Sequence, residues 1–287
     1  MKVRRAVILA AGYGTRFLPA TKAVPKEMLP IVDRPVIQYI VEEALAAGIE
    51  QIIIVSNSGK PSIEDHFRRH DNLELLLESK QNSATLQSIR RLAEIPITFA
   101  FQEERLGNGH AVLITKELVG GEPFAIFFPD DVIFHDVPAI RQLMDIYDRF
   151  GHTVLAVQQV PDEQIAQYGI IDPRPLEPRL HDVRRVVEKP RREDAPSNLA
   201  TVGRFVVTPE IFDVLADTPP GRSGEVWLMD AFDRLLERQP VYAYEYAGTR
   251  FDTGQPLGLI KASIHVALQN EEIAPDLKAY LRSLDLH

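Results

Sequence analysis

The chain has 287 residues, 45% hydrophobic and 25% charged, which is enough for one large α/β domain or two smaller ones. Its formal net charge of −9 argues against general affinity for nucleic acid or acidic membranes, but it allows a local basic pocket for phosphates. The absence of cysteine excludes disulfides and thiolate metal sites. The first residues lead straight into a strand without a long apolar segment, and no run could span a bilayer, so we expect a cytoplasmic protein.

Apolar, strand-like runs alternate with amphipathic segments through the first half of the chain. The spacing predicts strands at residues 5–9, 51–55, 98–101, 124–128 and 153–159. Residues 36–47 and 139–150 carry apolar side chains at helical spacing, so we expect a helix over each. This alternation predicts an α/β fold with a doubly wound, mostly parallel, Rossmann-like sheet, in which ligands bind beyond the carboxyl ends of the strands.

The remaining segments have weaker patterns. Residues 72–94 are polar but contain several leucines, and we expect an exposed helical excursion there. The prolines of residues 173–178 predict a loop between short strands. Residues 257–272 have a helical pattern, which Pro275 is expected to break before a last amphipathic piece over residues 277–286. That piece needs a surface to cover, either its own core or a neighbouring subunit, and we expect a homo-oligomer.

A glycine-rich loop follows the first strand and carries Gly12, Gly14 and Arg16, with Lys26 further along. Glycines let the backbone approach a ligand, while an arginine that binds bidentately and a mobile lysine suit a polyphosphate. The dinucleotide fingerprint needs a third glycine where Phe17 stands, which disfavours a nicotinamide oxidoreductase, and the GxxxxGK[ST] phosphate loop is absent. The loop therefore indicates a different kind of nucleotide site.

Residues 9–16, together with the Lys-Glu-Met-Leu-Pro run of residues 26–30, resemble the sugar-1-phosphate nucleotidylyltransferases. Within that family they are similar to the bacterial uridylyltransferases that use UTP. Later motifs match in order to about Gly258, so the resemblance covers nearly the whole chain. It implies transfer of a uridylyl group from UTP to glucose 1-phosphate, giving UDP-glucose and pyrophosphate by in-line attack assisted by Mg²⁺.

The resemblance also sets an expected organisation. We expect a nucleotidyltransferase domain over residues 1–273 and a C-terminal helical tail over residues 274–287. Within the domain, residues 1–160 would bind mainly the nucleotide, and residues 161–256 would form an added, mainly sugar-binding β region. The expected partners are the two small-molecule substrates, with neither nucleic acid nor a membrane.

The resemblance assigns the glycine loop to the nucleotide. It implies that Ala11, Gly12 and Gly14 contact UTP. It further implies that Arg16 and Lys26 hold the triphosphate and are catalytic residues.

A second glycine-containing segment follows the third predicted strand. The amide of Gln102 offers donors and an acceptor to the imide edge of uracil, and the Gly107 backbone can approach a base because it lacks Cβ. The resemblance implies that both residues contact the base. Asn108 stands where the family has leucine, and we interpret His110 as a structural residue at a helix start.

Two adjacent acids follow the fourth predicted strand. Carboxylates at a strand end beside phosphates are typical of Mg²⁺ sites, although such a pair in isolation could equally form a helix cap or a turn. The resemblance places the metal on Asp130 and, from a later Asp-Thr-Gly element, on Asp252. We interpret Asp131 as a supporting or structural residue, because successive side chains usually diverge.

The second half of the chain carries the sugar side. The resemblance implies that Gly169, Gly203 and Glu225 line a hexose pocket. It also implies that Glu188 accepts hydrogen bonds from sugar hydroxyls and that Lys189, a catalytic residue, binds the 1-phosphate.

The chain departs from the family around Glu225. Trp227 and Met229 stand where the family has glutamine and threonine. Trp227, the single tryptophan, could stack on a sugar or on a neighbouring loop, but we interpret it as a core residue. Two alternative functions stay open. One is thymidylyl transfer, because thymine presents the same imide edge, and the other is an inactive nucleotide-sugar sensor, which the full set of phosphate and metal residues disfavours.

Overall fold

A nine-stranded sheet is the central element of the computed structural model, which describes residues 1–221 and 224–285. The strands of this part of the chain are β1 (Arg5–Leu9), β2 (Pro30–Ile31), β3 (Arg34–Pro35), β4 (Gln51–Ser56), β5 (Ile97–Phe101), β6 (Phe124–Phe127), β7 (Asp131–Phe134), β8 (Val154–Gln159), β9 (Gly169–Glu177), β10 (Leu180–Glu188), β11 (Leu199–Val207), β12 (Tyr242–Glu245) and β13 (Thr249–Asp252). The α-helices are α1 (Val36–Ala46), α2 (Pro61–His66), α3 (Asp71–Ser79), α4 (Ser83–Ala93), α5 (Asn108–Leu113), α6 (Lys116–Val119), α7 (Ala139–Phe150), α8 (Glu210–Asp217), α9 (Leu228–Leu235), α10 (Pro256–Ala267) and α11 (Ala274–Ser283).

The strands of the large sheet lie in the order β5-β4-β1-β6-β11-β8-β12-β10-β9. β5, β4, β1 and β6 are parallel to one another, and β12 is parallel to β8, whereas β11, β10 and β9 pair antiparallel with their neighbours. The α/β prediction is therefore confirmed, but the sheet is mixed rather than mostly parallel. The difference arises from the second half of the chain, whose strands join the sheet through antiparallel pairs such as β9–β10.

Helices cover both faces of the sheet and bury two hydrophobic clusters. Successive residues of a strand point to opposite faces, and β1 shows this directly. Ala6 and Ile8 belong to one cluster, which includes α1 and α7, while Val7 belongs to the other, which includes α8 and α9. The loops that carry the candidate site follow strands of this sheet, which is covered by helices on both faces.

Most of the expected helices are present. The helix over residues 139–150 is confirmed by α7, and the one over residues 36–47 by α1. The expected excursion at residues 72–94 is helical, but it is divided into α3 and α4. The chain turns between them at Gln81, which has a positive φ of 54°, and Asn82 caps α4 by accepting a hydrogen bond from Thr85 N.

The prediction of a loop at residues 173–178 is wrong, because these residues lie almost entirely within β9. Pro173 pairs with Val183 and Pro175 with His181 on β10. A proline cannot donate a backbone hydrogen bond, but β9 is the last strand in the sheet order, and an edge strand tolerates that loss.

The end of the chain also differs from expectation. α10 stops at Ala267, so Pro275 does not break that helix; it lies in the first turn of α11, where the missing N–H has no helical partner in any case. Leu286, the last residue of the expected amphipathic piece, lies outside the described residues. The homo-oligomer and the division of residues 1–273 into two parts stay predictions. Within residues 1–221 and 224–285, each helix is too short or too polar to cross a membrane.

Candidate active site

Two adjoining cavities lie beyond the ends of β1, β5 and β6. The first has a volume of about 380 Å³ and the second about 180 Å³. Asn108, Phe128 and Asp130 line both of them, so a ligand in one cavity can meet a ligand in the other.

The two cavities separate the predicted nucleotide residues from most of the predicted sugar residues. The first cavity is lined by the predicted nucleotide residues Ala11, Gly12, Gly14, Lys26, Gln102 and Gly107. The second is lined by the predicted sugar residues Gly169, Glu188, Lys189 and Gly203, and by Asp252. Two residues lie elsewhere than expected, because Arg16 lines the second cavity and Glu225 lines the first. The roles of all these residues as ligands stay predictions.

The glycine loop packs closely against the segment that carries Lys26. Gly14 has a φ of +65°, and a Cβ there would lie 2.9 Å from Lys26 Cβ and 3.3 Å from Thr21 Cγ2. Thr21 Oγ1 also donates a hydrogen bond of 2.8 Å to the Gly14 carbonyl. By contrast, a Cβ at Gly12 would meet nothing within 4 Å, so the loop is open on that side. This packing explains why residue 14 is a glycine, and it holds Lys26 beside the loop.

A buried lysine that the sequence analysis missed fastens the same loop. Lys60 Nζ donates to the carbonyls of Ala10, at 2.7 Å, and of Gly12. It also pairs with Glu27 Oε2 at 2.9 Å, and the side chains of Lys60 and Glu27 are 7% and 1% exposed. Burial lowers the pKa of Lys60 and raises the pKa of Glu27, and the pairing partly opposes both changes. Lys60 thus ties the glycine loop to the Lys26 segment.

Asn57 adds a second attachment, through a hydrogen bond of 2.7 Å from its Nδ2 to the Ala11 carbonyl. Asn57 and Lys60 both follow β4, which is parallel to β1 and adjacent to it. The sequence did carry a signal for them, since polar residues that follow neighbouring parallel strands meet at one edge of the sheet.

Gln102, the residue predicted to contact the base, lines the first cavity. Its Nε2 lies 3.0 Å from the Gly107 carbonyl and 3.0 Å from His110 Nδ1. Its Oε1 accepts no hydrogen bond from the residues that the structure describes, so it can accept one from a ligand N–H. His110 lies in the first turn of α5, which confirms it as a helix-start residue, and it orients the Gln102 amide.

Gly107 is required by the protein itself. It has a φ of +94°, and a Cβ would collide with the backbone of Val226. Val226 N in turn donates to the Leu106 carbonyl at 2.8 Å, and Asn108 Oδ1 accepts from Leu228 N at 2.8 Å. These contacts hold the segment before α9 against the first cavity, which explains why Glu225 lines it.

Lys26 and Asp130 form an ion pair at the junction of the cavities, with Nζ 2.6 Å from Oδ2. Burial alone would lower the pKa of Lys26, but Asp130 and Glu27 outweigh it and raise that pKa. Burial would likewise raise the pKa of Asp130, but Lys26 outweighs it and lowers that pKa. Arg16 adds to the stabilisation of the Asp130 carboxylate, so both partners are held in their charged forms.

The two predicted metal ligands face one small space. A Cβ at Gly254 would lie 2.7 Å from Asp130 Oδ2 and 3.0 Å from Asp252 Oδ1. The pKa of Asp252 is raised by burial and by the carboxylates of Asp131 and Asp130, so added positive charge would stabilise it. Among the described residues there is no group of three or more potential metal ligands, so the two carboxylates would hold Mg²⁺ only together with further oxygens from bound phosphates. The residues therefore fit the predicted ion.

Asp131 makes hydrogen bonds that support the surrounding structure, as predicted. Its Oδ2 accepts a hydrogen bond of 2.9 Å from Gly203 N, and its Oδ1 accepts one from Arg250 Nε. A Cβ at Gly203 would lie 2.7 Å from Asp131 Oδ2 and would collide with Phe128, so this glycine is required by packing. Asp131 thereby fixes the wall of the second cavity.

Arg204, another residue without a predicted role, supports the acidic turn from behind. Its side chain is 0% exposed and pairs with Glu43, with Nη2 2.6 Å from Oε2. Its guanidinium also donates to the Asp131 carbonyl at 2.7 Å and to the Phe128 carbonyl at 3.3 Å. The arginine therefore holds both ends of the turn that presents Asp130.

The interpretation of Trp227 as a core residue is wrong. The side chain is half-buried and lines the second cavity, where the Lys189 ammonium lies 4.4 Å from the centre of the indole. Lys189 Nζ is also 2.6 Å from Glu188 Oε1. Met229 lines the same cavity, and a Cβ at Gly169 would lie 2.7 Å from its Cγ and Sδ. The departures from the family therefore shape the candidate sugar pocket.

The mixed α/β sheet carries two joined cavities, each with room for a ligand. A nucleotidyl transferase family model matches residues 5–269, and the chain belongs to that family.

The chain is similar over its full length to particular members. It is 49% identical to a UTP–glucose-1-phosphate uridylyltransferase of Staphylococcus epidermidis, across 99% of each chain. Among solved structures, it is 38% identical to a UTP-bound UDP-glucose pyrophosphorylase from Acinetobacter baumannii, with a TM-score of 0.91 and coverage of 99% and 100%. A UDP-glucose pyrophosphorylase complexed with UDP-glucose is 40% identical, with a TM-score of 0.85 over 93% of this chain and all of the other.

Proposed function

We propose that this chain transfers a uridylyl group from UTP to glucose 1-phosphate and releases UDP-glucose and pyrophosphate. The observation that carries the proposal is that the two cavities meet at Asp130, which pairs with Lys26. The positive charge of Arg16 is close enough to lower the pKa of Asp130 as well. The similarity to the uridylyltransferases and to the UTP and UDP-glucose complexes supports the choice of substrates.

The first cavity would hold UTP. Gln102 accepts the imide N–H of uracil through Oε1, because its Nε2 is already engaged by the Gly107 carbonyl and His110. The backbone of the glycine loop approaches the phosphates, and Lys26 neutralises part of their charge. The base thus lies at the Gln102 end and the α-phosphorus near the junction.

The second cavity would hold glucose 1-phosphate. Glu188 accepts from sugar hydroxyls, the backbones of Gly169 and Gly203 line the space for the hexose, and Lys189 binds the 1-phosphate. Glu225 lies in the first cavity, so a contact with the sugar would have to be made across the junction.

The reaction places a sugar-phosphate oxygen in line with the α-phosphorus of UTP. A bond forms between these atoms while the bond from the α-phosphorus to the bridging oxygen breaks, and pyrophosphate leaves with the electron pair. Lys26, Arg16 and Lys189 orient the reactants and offset their negative charges, and no covalent intermediate with the protein is needed. Asp130 and Asp252 would hold Mg²⁺, which when bound supplies further charge neutralisation at the phosphate oxygens.

The test is a matrix of nucleoside triphosphates against sugar 1-phosphates, with pyrophosphate release as the readout. We expect release with UTP, and less with dTTP, only when glucose 1-phosphate and Mg²⁺ are also present. CTP should be a poor substrate, because its N3 carries no hydrogen for Gln102 Oε1 to accept. Pyrophosphate release in the absence of any divalent ion would contradict the metal assignment. A lack of release with every pair of nucleoside triphosphate and sugar 1-phosphate would contradict the proposed enzymatic activity.

A further inference from the structure

We propose that Trp227 is a positioning residue for the sugar phosphate, because its indole face holds the Lys189 ammonium at the second cavity. The inference rests on the proposed function, in which Lys189 binds the 1-phosphate. It starts from one contact, the 4.4 Å between Lys189 Nζ and the centre of the Trp227 ring. A cation over an indole face is attracted by the quadrupole of the ring, and the attraction grows as the pair loses water.

The backbone of Lys189 is held in place, but the position of its side chain depends on further contacts. Lys189 has a φ of 43°, unusual for a residue with a side chain, and its N–H donates to the Tyr168 carbonyl at 3.0 Å. The side chain itself is 46% exposed on a long flexible stem. Its pairing with Glu188 is partly exposed, and such pairs fix a geometry weakly.

Trp227 is anchored well enough to provide such a contact. It immediately precedes α9, and its carbonyl accepts a hydrogen bond from Ala231 N at 3.3 Å. The residue on its other side is tied to Leu106, and Leu228 N is capped by Asn108. The backbone of Trp227 is therefore held in a segment that lines both cavities, with Glu225 at the first and Trp227 at the second, beside Lys189.

An indole suits this task better than a second carboxylate. Glu188 is expected to accept hydrogen bonds from sugar hydroxyls, and in doing so it weakens its pairing with Lys189. Trp227 keeps the ammonium in place when Glu188 turns to the sugar, and its uncharged ring does not repel a phosphate dianion as a carboxylate would. The lysine thus stays directed at the phosphate throughout binding.

Kinetics of a graded series test the proposal. Trp227→Leu should raise the KM for glucose 1-phosphate about tenfold, while Trp227→Phe and Trp227→Tyr fall between it and the wild type. The kcat and the KM for UTP should change less than about threefold. In a Lys189→Met background, Trp227→Leu should add nothing, because the partner is gone. An undiminished effect in that background, or an equal rise in both KM values, would overturn the proposal.

The fluorescence of the single tryptophan gives a readout independent of turnover. Lys189→Met should change the emission of the folded protein without any ligand, because the cation no longer lies over the ring. Lys116→Met is the matched control, since Lys116 pairs with Asp213 on the surface, and it should leave the spectrum unchanged. A Lys189→Met spectrum identical to the wild type would overturn the contact, whereas lack of pyrophosphate release by the wild type would overturn only the proposed function.

Discussion

Lys26 Nζ lies 2.6 Å from Asp130 Oδ2, where the two cavities meet. Each side chain is mostly buried, yet each is stabilised in its charged form, since the pKa of Lys26 is raised and that of Asp130 is lowered. The pair thus brings an ammonium and a carboxylate to the point where the phosphates are expected. Substrate phosphates would compete for Lys26, and a metal ion would compete for Asp130.

We predict that Asp130→Asn lowers kcat by on the order of a thousandfold, because loss of a metal ligand removes several kcal/mol of charge stabilisation. The neighbouring acid is the matched control. Asp131→Asn breaks a buried pair with Arg250, so it should cost about 3–5 kcal/mol of folding stability and far less activity. Steady-state kinetics and thermal melts of both variants measure this. A larger loss of kcat in Asp131→Asn would show that the metal was assigned to the wrong acid.

The second prediction concerns Lys60. Lys60→Met removes donors from the Ala10 and Gly12 carbonyls and leaves Glu27 buried without its partner. We expect a stability loss of about 3–5 kcal/mol and a larger rise in the KM for UTP than for glucose 1-phosphate.

The double variant Lys60→Met/Glu27→Gln separates the two effects. Removing the uncompensated carboxylate should restore part of the stability, whereas the carbonyls of the glycine loop remain without their donor. The KM for UTP should therefore stay high. If it returned to the wild-type value, the loop would not depend on Lys60.

The parts of the fold that follow from local pattern could be predicted from the sequence. Buried runs such as β1 and the amphipathic α7 carry their own periodicity, and the glycine loop and Asp130 follow strand ends, where ligands bind in such sheets. The prolines of β9 led to the wrong prediction of a loop. A strand tolerates proline at the edge of a sheet but not at its centre, and the position of a strand in the sheet is set by the tertiary fold.

The missed site residues have a common cause. Lys60 and Arg204 are charged side chains buried by partners distant in sequence, Glu27 and Glu43, so no local window contains the pair. Trp227 was interpreted as core because large aromatics usually are, yet its role depends on Lys189, which arrives from another strand end. Such residues become visible only when the fold places their partners.

The third prediction is a pH dependence of stability in the α3–α4 excursion. Hydrogen bonds from Arg69 and Arg90 lower the pKa of Glu74 from 4.5 to about 2. Because this pKa is lower in the folded state, the stabilisation is fully present above about pH 4.5 and is lost as the pH falls towards about 2. Glu74→Gln lacks this dependence, so the difference in Tm between wild type and variant should shrink over that range. A constant difference in thermal melts would contradict the assignment.

The last prediction concerns the choice between UTP and dTTP. Gln102 Oε1 meets the imide edge, which uracil and thymine share, so discrimination must come from the 5-methyl group and the ribose 2′-hydroxyl. A pocket that merely lacks room for one methyl discriminates by roughly 10–200-fold, and stronger selection requires a polar group left unpaired when the hydroxyl is missing. We expect kcat/KM for UTP to exceed that for dTTP by at least about tenfold, with deoxy-UTP intermediate.

Two variants locate the source of this preference. Gln102→Met should lower kcat/KM for UTP and dTTP by the same factor, because both bases lose the same hydrogen bond, and their ratio should not move. Asn108→Leu, which introduces the leucine of the family, removes the cap on Leu228 N beside Gly107, and it is the change expected to alter the ratio. Equal efficiency of the wild type with UTP and dTTP would defeat the uridylyl assignment, while the fold and the metal chemistry would stand.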